Sequence, residues 1–549
     1  MQSFIDKMIF SFFFYLLLAY FVYDRFIRIY MRMHFYRKQG IPYHFNINLP
    51  IIGSVKSLKD FQKEHNPTNH PIIEWNKHHY FPNDSDTVPP ITGLLLGSQL
   101  RLMVNRPEIV EEMLITQNKY YDKHPGSATN SDIVVGKSIL FAQSDLQWQQ
   151  KRKVISSALY KDRLRGMIET IKDVTIKAIE SDWMLHKDQN GVSLEIVNIM
   201  QNLFMQVTLS CFFGQSIEVK PTVSQLVKGE HKEVRLGEAI QNSFEQVMGR
   251  PLQPLLIVFR ELLPYFITQS DRELKQNALS LRAFIRNLIN ERRKLQDGQV
   301  QSGNVQYKDL LSILLNDPNF ENDDSIVDEC LTFFLAGSMT TASTTANTVC
   351  YLIQSNETEK KLRESLKQNF DYFADSSKTL QDLASEITLE TLDLRNDEYL
   401  KYCFNESLRI EPPVPFSSSL CMTEEVTIGG FIFKKGEGFY HNCYQLHHNL
   451  DQWGPTHDEY IPERFDPGHV HEYPKRHPMS FLPFSGGKRV CVGKTFAEIA
   501  FKIVMPLVMK AFNKDGRIGE FADKEHYTKK PHINGLQLKR SKIIINFNA

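Results

Sequence analysis

"PFSGGKRVCVGK", Pro483–Lys494, sets one cysteine among glycines and cations and leads into the apolar run "KTFAEIAFKIVMPLVMKAF". That run reads as a helix, so Cys491 sits just before a helix N-terminus, where free N–H groups and the dipole steady a thiolate. A lone cysteine is not a zinc site, which needs three or four protein ligands. Haem needs only one axial ligand, because the porphyrin supplies four nitrogens. Gly486 and Gly487 permit backbone angles and close approach that a Cβ would block. Arg489, two residues before the sulfur, suits a charge-assisted pair with a haem propionate.

The rest of the chain narrows the class. Its 549 residues are 42% hydrophobic and 23% charged, enough for a large core. Sixty-four basic and sixty-four acidic side chains cancel, which argues against a nucleic-acid binder. Seven cysteines (Cys211, Cys330, Cys350, Cys403, Cys421, Cys443 and Cys491) are scattered and form no CxxC, which fits a reducing compartment.

"MIFSFFFYLLLAYFVY", Met8–Tyr23, carries no charge, and running on to Ile27 gives about 20 residues, enough to span a bilayer. Arg25, Arg28, Arg32, Arg37 and Lys38 follow it, so the positive-inside bias leaves the remaining chain cytosolic. Bulky Tyr23, Arg25 and Phe26 stand where a signal peptide would carry a small-residue cleavage site. The reading is a single-pass signal anchor over 1–38, a Pro-containing linker over 39–52, and one catalytic domain over 53–549. A hairpin is expected at Ile91–Val104, another at Val426–His441 around Gly-Gly, and a polar loop at Asp297–Tyr307. Helical periodicity covers Pro107–Gln117, Leu146–Leu159, Asp162–Met184 and Asp271–Gln296. The class is mainly α with a minor β-sheet region. His469 and His471, spaced HxH, lie in a Pro- and His-rich stretch without other ligand-type partners and read as a solvated loop.

Phe484, Gly487, Arg489, Cys491 and Gly493 together resemble the FxxGxRxCxG haem-binding loop of the cytochrome P-450 family. Further segments resemble the family in its order along the chain. Glu406 and Arg409 match ExxR and, three apart, share a helix face. Pro462–Phe465 matches PERF, whose arginine, here Arg464, completes a Glu–Arg–Arg network. Trp148 and Arg152 match the WxxxR helix that contacts a propionate. "AGSMTT", Ala336–Thr341, resembles the AGx[DE]T[TS] notch of the oxygen-activating helix, with Gly337, Thr340 and Thr341 as its catalytic positions and Ala336 beside the haem.

The resemblance implies the P-450 fold, haem b held between the central helix and the cysteine loop, and a thiolate that favours O–O cleavage. It also implies insertion of one oxygen atom from O2 into a lipophilic substrate. Electrons come from NADPH through a separate flavoprotein reductase, with cytochrome b5 as a further candidate donor, at the endoplasmic reticulum membrane. Lys488 and Lys494 are candidates for docking an acidic redox partner. "PLLIVFRELLPYF", Pro254–Phe266, corresponds to a region that roofs the pocket and touches membrane in relatives.

Two positions depart from the pattern. Met339 stands where the family carries an acid, and a thioether cannot relay protons. The nearest helix acids, Asp328 and Glu329, lie about 16–18 Å before Thr340 at 1.5 Å per residue. Ser419 stands where many relatives carry a propionate-binding arginine. Met339 keeps open a haem-thiolate isomerase or peroxide-dependent enzyme, and a non-catalytic haem-binding protein is a further alternative.

Overall fold

Periodicity and hairpin signals translate directly into elements. The computed structural model describes residues 2–44, 52–65, 71–83, 87–159, 161–188, 191–214, 220–302, 309–320, 322–394, 398–417, 419–513, 516–523 and 543–549. The chain packs as two compact units. One comprises 1–126, 249–266 and 416–442; the other comprises 127–248, 267–415 and 443–549.

The first unit is built on a five-stranded sheet. The expected hairpin forms as Ile91–Leu96 against Gln99–Val104, with Ile91 opposite Val104. Gly438–His441 joins it in parallel, and Leu420–Met422 and Tyr121–Lys123 extend it antiparallel. The second expected hairpin pairs Val426–Ile428 with Phe431–Phe433. Gly429 and Gly430, at φ 58° and 79°, supply the left-handed turn that this tight connection requires. Trp75, Leu58, Phe61, Leu94 and Met103 form the core under the sheet. Ser419 is buried here, with no hydrogen-bond partner for its hydroxyl among the described residues.

The N-terminal helix also belongs to this unit. It runs Gln2–Val22, widens to a π-helical turn at Tyr23–Ile27 and continues as Arg28–Arg37. Phe10, Tyr15 and Leu17 are each two-thirds exposed or more. The equally apolar helix Ile196–Phe213 is instead mostly buried, as a core helix should be. Arg25 is buried in the π turn, donating to Val258 O at 3.1 Å and pairing with Glu261 at 2.6 Å. A guanidinium satisfied in this way packs into the folded unit, while Ile27, Tyr30 and Met31 beyond it are again exposed.

The second unit is mostly helical. Its central helix, Asp323–Gln354, is capped by Asn322, whose side chain accepts from Ser325 N, and starts with Asp323 and Asp324. Both choices favour a helix N-terminus. It packs along Ile196–Phe213, with the rings of Phe213 and Phe334 stacked at 4.4 Å. The helix expected at Asp271–Gln296 runs Gln269–Ser302 instead. A proline-free polar run prolongs an established helix at little cost, because nucleation is already complete; the rest of the expected loop, 303–307, lies outside the described residues. Two β elements carry too little alternation to be read from sequence. They are the hairpin Thr222–Val227 with Glu230–Arg235, and the four-stranded sheet that joins Gly191–Glu195 to Ile544–Phe547.

Candidate functional site

The cysteine loop is held by its own backbone. Ser485 N donates to Leu482 O at 3.2 Å and Cys491 N to Phe484 O at 2.9 Å, closing the loop before the helix Lys494–Ala511 begins. Gly487 sits at φ 61°, where only glycine is free of strain, whereas Gly486 at φ −150° is ordinary extended chain. Ser485 also takes a left-handed φ, 58°. The other six cysteines are buried and Cys491 is exposed. The residue is exposed, yet protein atoms surround its sulfur. Crowding pushes the thiol pKa up, while the N–H groups of Gly493 and Lys494 pull it down. Gly493 has no side chain to cap the helix, so those N–H groups stay available to the sulfur.

Trp148 and Arg152 share one face of the helix Leu146–Ala158, which Asp145 caps by accepting from Trp148 N at 2.7 Å. Arg489 lies over the Trp148 ring at 3.9 Å and Arg152 at 5.4 Å. Arg152 reaches back to Val490 O, next to the cysteine. Burial and the neighbouring Arg489 lower the pKa of Arg152, and Cys491 opposes them. Two guanidiniums this close, beside an accessible thiol, form a site electrostatically suited to a carboxylate-bearing group.

The backbone of one residue that sequence reasoning missed ties these residues together. Ile139 O accepts from Trp148 Nε1 at 2.9 Å and from Arg489 Nη1 at 3.2 Å. Ile139 N donates to both oxygens of Glu329 on the central helix, at 2.9 and 3.2 Å. Next to it, Asp328 pairs with Arg282 at 2.7 Å and accepts from Lys137 N at 2.9 Å. The two acids that sequence reading placed too far from Thr340 to relay protons are therefore structural anchors.

Burial pushes the Glu329 pKa up to about 8, against the Ile139 N–H that favours the charged form. The folded chain then retains a proton that the unfolded chain releases above its ordinary value of 4.5. This contribution to stability is complete below that value and is lost as pH rises through the folded pKa. Glu329→Gln keeps a neutral polar group there. It is expected to flatten the decline of the thermal midpoint between about pH 5 and 8.5; a variant keeping the parental slope would assign that slope elsewhere.

Glu406, Arg409 and Arg464 come together in a fully buried cluster. Arg409 makes a two-pronged pair with Glu406, each bond 2.7 Å, and donates to the carbonyls of His447, His457 and Glu459. Arg464 approaches Glu406 at 3.5 Å and donates to Trp453 O at 2.9 Å. Burial and Arg409 push the His447 pKa down to about 3, so the imidazole stays neutral. Its Nε2 accepts from Leu482 N at 2.8 Å, at the root of the cysteine loop. His447 thus links the buried network to the root of the cysteine loop, a connection that no local sequence signal carries.

A family model described as Cytochrome P450 matches residues 48–536. The chain belongs to the cytochrome P450 family. As a P450 it is an oxidoreductase of the monooxygenase type, with the mainly α fold expected, and the family implies a haem cofactor. Similar proteins include "Cytokinin hydroxylase" of Arabidopsis thaliana, 24% identical over 80% of this chain and 76% of the relative. "Cytochrome P450 4F8" of Homo sapiens is 25% identical over 74% of each chain. "Probable cytochrome P450 4aa1" of Drosophila melanogaster is 26% identical over 68% of this chain and 67% of its own.

In this P450 the central helix interrupts its burial at one notch. Ala336 is exposed, and Gly337 and Thr340 are partly so, whereas Met339 and Thr341 are buried. A Cβ at Gly337 would meet Thr208 Oγ1 at 3.4 Å and Phe212 at 3.9 Å, so the missing side chain faces the neighbouring helix. Phe212 in turn touches Phe333 at 5.5 Å and Phe496, just after the cysteine, at 4.7 Å. Thr340 Oγ1 donates to Ala336 O at 2.8 Å, and Ser338, Ser343, Thr344, Thr345 and Thr348 likewise bond the carbonyl four residues back. His469 pairs with Glu472 at 2.8 Å on an exposed loop, and no metal-binding cluster occurs among the described residues.

Proposed function

We propose that this P450 is a membrane-anchored haem-thiolate monooxygenase acting on a lipophilic substrate, with Cys491 Sγ as the axial ligand of haem b. The carrying observation is the single accessible cysteine, with two helix N-terminal N–H groups available to its sulfur. Bound haem supplies the activation of O2 and the transfer of one oxygen atom to substrate. The chain's own residues hold and orient. Arg489 and Arg152 would take a propionate, and Trp148 packs beside both guanidiniums. Phe484, Gly487 and Gly493 shape the loop, while Glu406, Arg409 and Arg464 fix the scaffold beneath it. On the central helix, Ala336 keeps the notch small, Gly337 lets the neighbouring helix pack close, and Thr340 Oγ1 presents the accessible hydroxyl. Thr341, being buried, serves packing there, and Met339 offers no proton.

The exposed apolar run before Tyr23 supports single-pass anchoring in the endoplasmic reticulum, with the catalytic domain, residues 53–549, in the cytosol. Leu255, Phe259 and Tyr265 are also exposed, and Phe259 lies 6.0 Å from Phe21, as a membrane-facing patch beside the anchor would place them. P450s generally draw electrons from redox-partner reductases. For this chain the reading is NADPH through a flavoprotein reductase, with cytochrome b5 as a further donor and Lys494 exposed beside the loop to meet an acidic partner.

The test begins with spin-shift screening of sterols, fatty acids and aromatic compounds on the haem-loaded chain. Hits are then incubated with NADPH and reductase, or with an organic hydroperoxide alone. Turnover requiring NADPH and reductase is expected. Turnover only with hydroperoxide would replace this reading by the peroxide-dependent one that Met339 favours, and binding without turnover would make the chain a carrier.

A further inference from the structure

A small cavity of about 90 Å³ opens within the first unit, and arginines dominate its polar lining. Arg28 and Arg32 come from the N-terminal helix, Arg101 from the first hairpin and Arg260 from the turn Arg260–Leu262. Arg101 is nearly buried and lies flat against Gly438, where a Cβ would meet its Nη1 at 2.5 Å. Arg260 donates to Ser98 Oγ at 2.7 Å. Arg28 Nε is buried with no partner among the described residues.

The carboxylates nearby do not balance this charge. Glu437 pairs with Arg32 at 2.9 Å, Asp24 pairs with Arg25 and with Arg28, and Glu261 pairs with Arg25. Five arginines face three carboxylates, and burial pushes the Glu437 pKa up. The consequences are visible on the neighbours. Burial and the surrounding arginines push Arg260 down to about 9, and burial with Arg101 and Arg260 pushes His124 down to about 3. Clustered like charges held this tightly call for a mobile anion.

We propose that this cavity binds the phosphate headgroup of an anionic membrane lipid, held by Arg28, Arg32, Arg101 and Arg260. The lipid source follows from position and rests on the anchoring reading above. Arg28 and Arg32 lie about 2 and 8 Å beyond Ile27 at 1.5 Å per residue, at headgroup depth if the apolar run to Ile27 spans the hydrocarbon. Basic pockets at this depth are the usual solution for anionic headgroups.

The test uses the full haem-loaded chain in non-ionic detergent, with bound lipid counted by native mass spectrometry. It is titrated separately with short-chain phosphatidic acid, short-chain phosphatidylcholine, inorganic phosphate and laurate. One molecule of phosphatidic acid is expected to bind, in preference to the other three. Arg101→Gln with Arg260→Gln should weaken it about thirtyfold, taking one headgroup contact per arginine. The haem spectrum of that variant reports its folding. Should it lose haem, Arg32→Gln alone, on the exposed side of the cavity, is read for a roughly fivefold loss.

Equal affinity for phosphatidylcholine, no loss in the variants, or tighter binding of inorganic phosphate or laurate would each overturn the proposal. Flotation with phosphatidylcholine vesicles reads anchoring separately. A chain that fails to float sinks the anchoring reading, whereas one that floats without selecting phosphatidic acid sinks this proposal alone.

Discussion

Cys491→Ser is expected to abolish the strongly red-shifted Soret band of the ferrous–carbon monoxide complex while leaving the fold intact. The band reports thiolate on iron, and a serine hydroxyl neither ionises under the same conditions nor donates charge comparably. In the haem-free chain the exchange of one atom on an exposed side chain should change stability by no more than about 0.5 kcal/mol, whereas the loaded chain also loses its ligand bond. Cys443→Ser supplies the opposite pattern. That cysteine is buried, and burial pushes its pKa up to about 12, so it behaves as a small apolar residue. A hydroxyl there should cost stability yet keep the band. Retention of the band in Cys491→Ser would remove the axial ligand from this account.

The second large effect concerns the buried cluster. Arg409→Ala strands Glu406 without its two-pronged partner and deprives three backbone carbonyls of their donor. Breaking a buried ion pair from one side costs about 3–5 kcal/mol, and each orphaned carbonyl adds to that. Little haem-loaded protein should accumulate, and what does should unfold at clearly lower denaturant. Arg409→Lys should restore only part of the loss, because an ammonium lacks the planar fork that spans one carboxylate and several carbonyls. A variant with the parental denaturation midpoint would show that the cluster carries no stability.

The sequence made these residues easy to find because their constraints are local. The cysteine loop is one tight turn before one helix, and Glu406 and Arg409 lie on one helix face. The hairpin at Ile91–Val104 was legible for the same reason, since alternation and a glycine break lie within fourteen positions. What escaped is contact between distant segments. Ile139 matters through its peptide, which no side-chain pattern advertises. His447 matters because burial keeps it neutral opposite Leu482 N. Glu329 was weighed as a proton donor on helical distance alone, whereas its partner lies 190 positions away. The arginines of the first unit looked like the flank of a membrane span, and only folding gathers Arg101 and Arg260 beside them.

The hydroxyl ladder of the central helix has a mechanical consequence. From Phe334 to Thr344, six carbonyls each receive a side-chain hydroxyl from the residue four ahead, alongside the main-chain donor that a helix supplies. When one main-chain bond lengthens, its oxygen still accepts from the hydroxyl, so bending does not strand the carbonyl. An alanine-only helix of the same length would be stiffer. Compliance is thereby concentrated in the turns that carry Ala336 and Thr340, and a guest of awkward shape can be accommodated by flexing one rod rather than by dismantling the core around it.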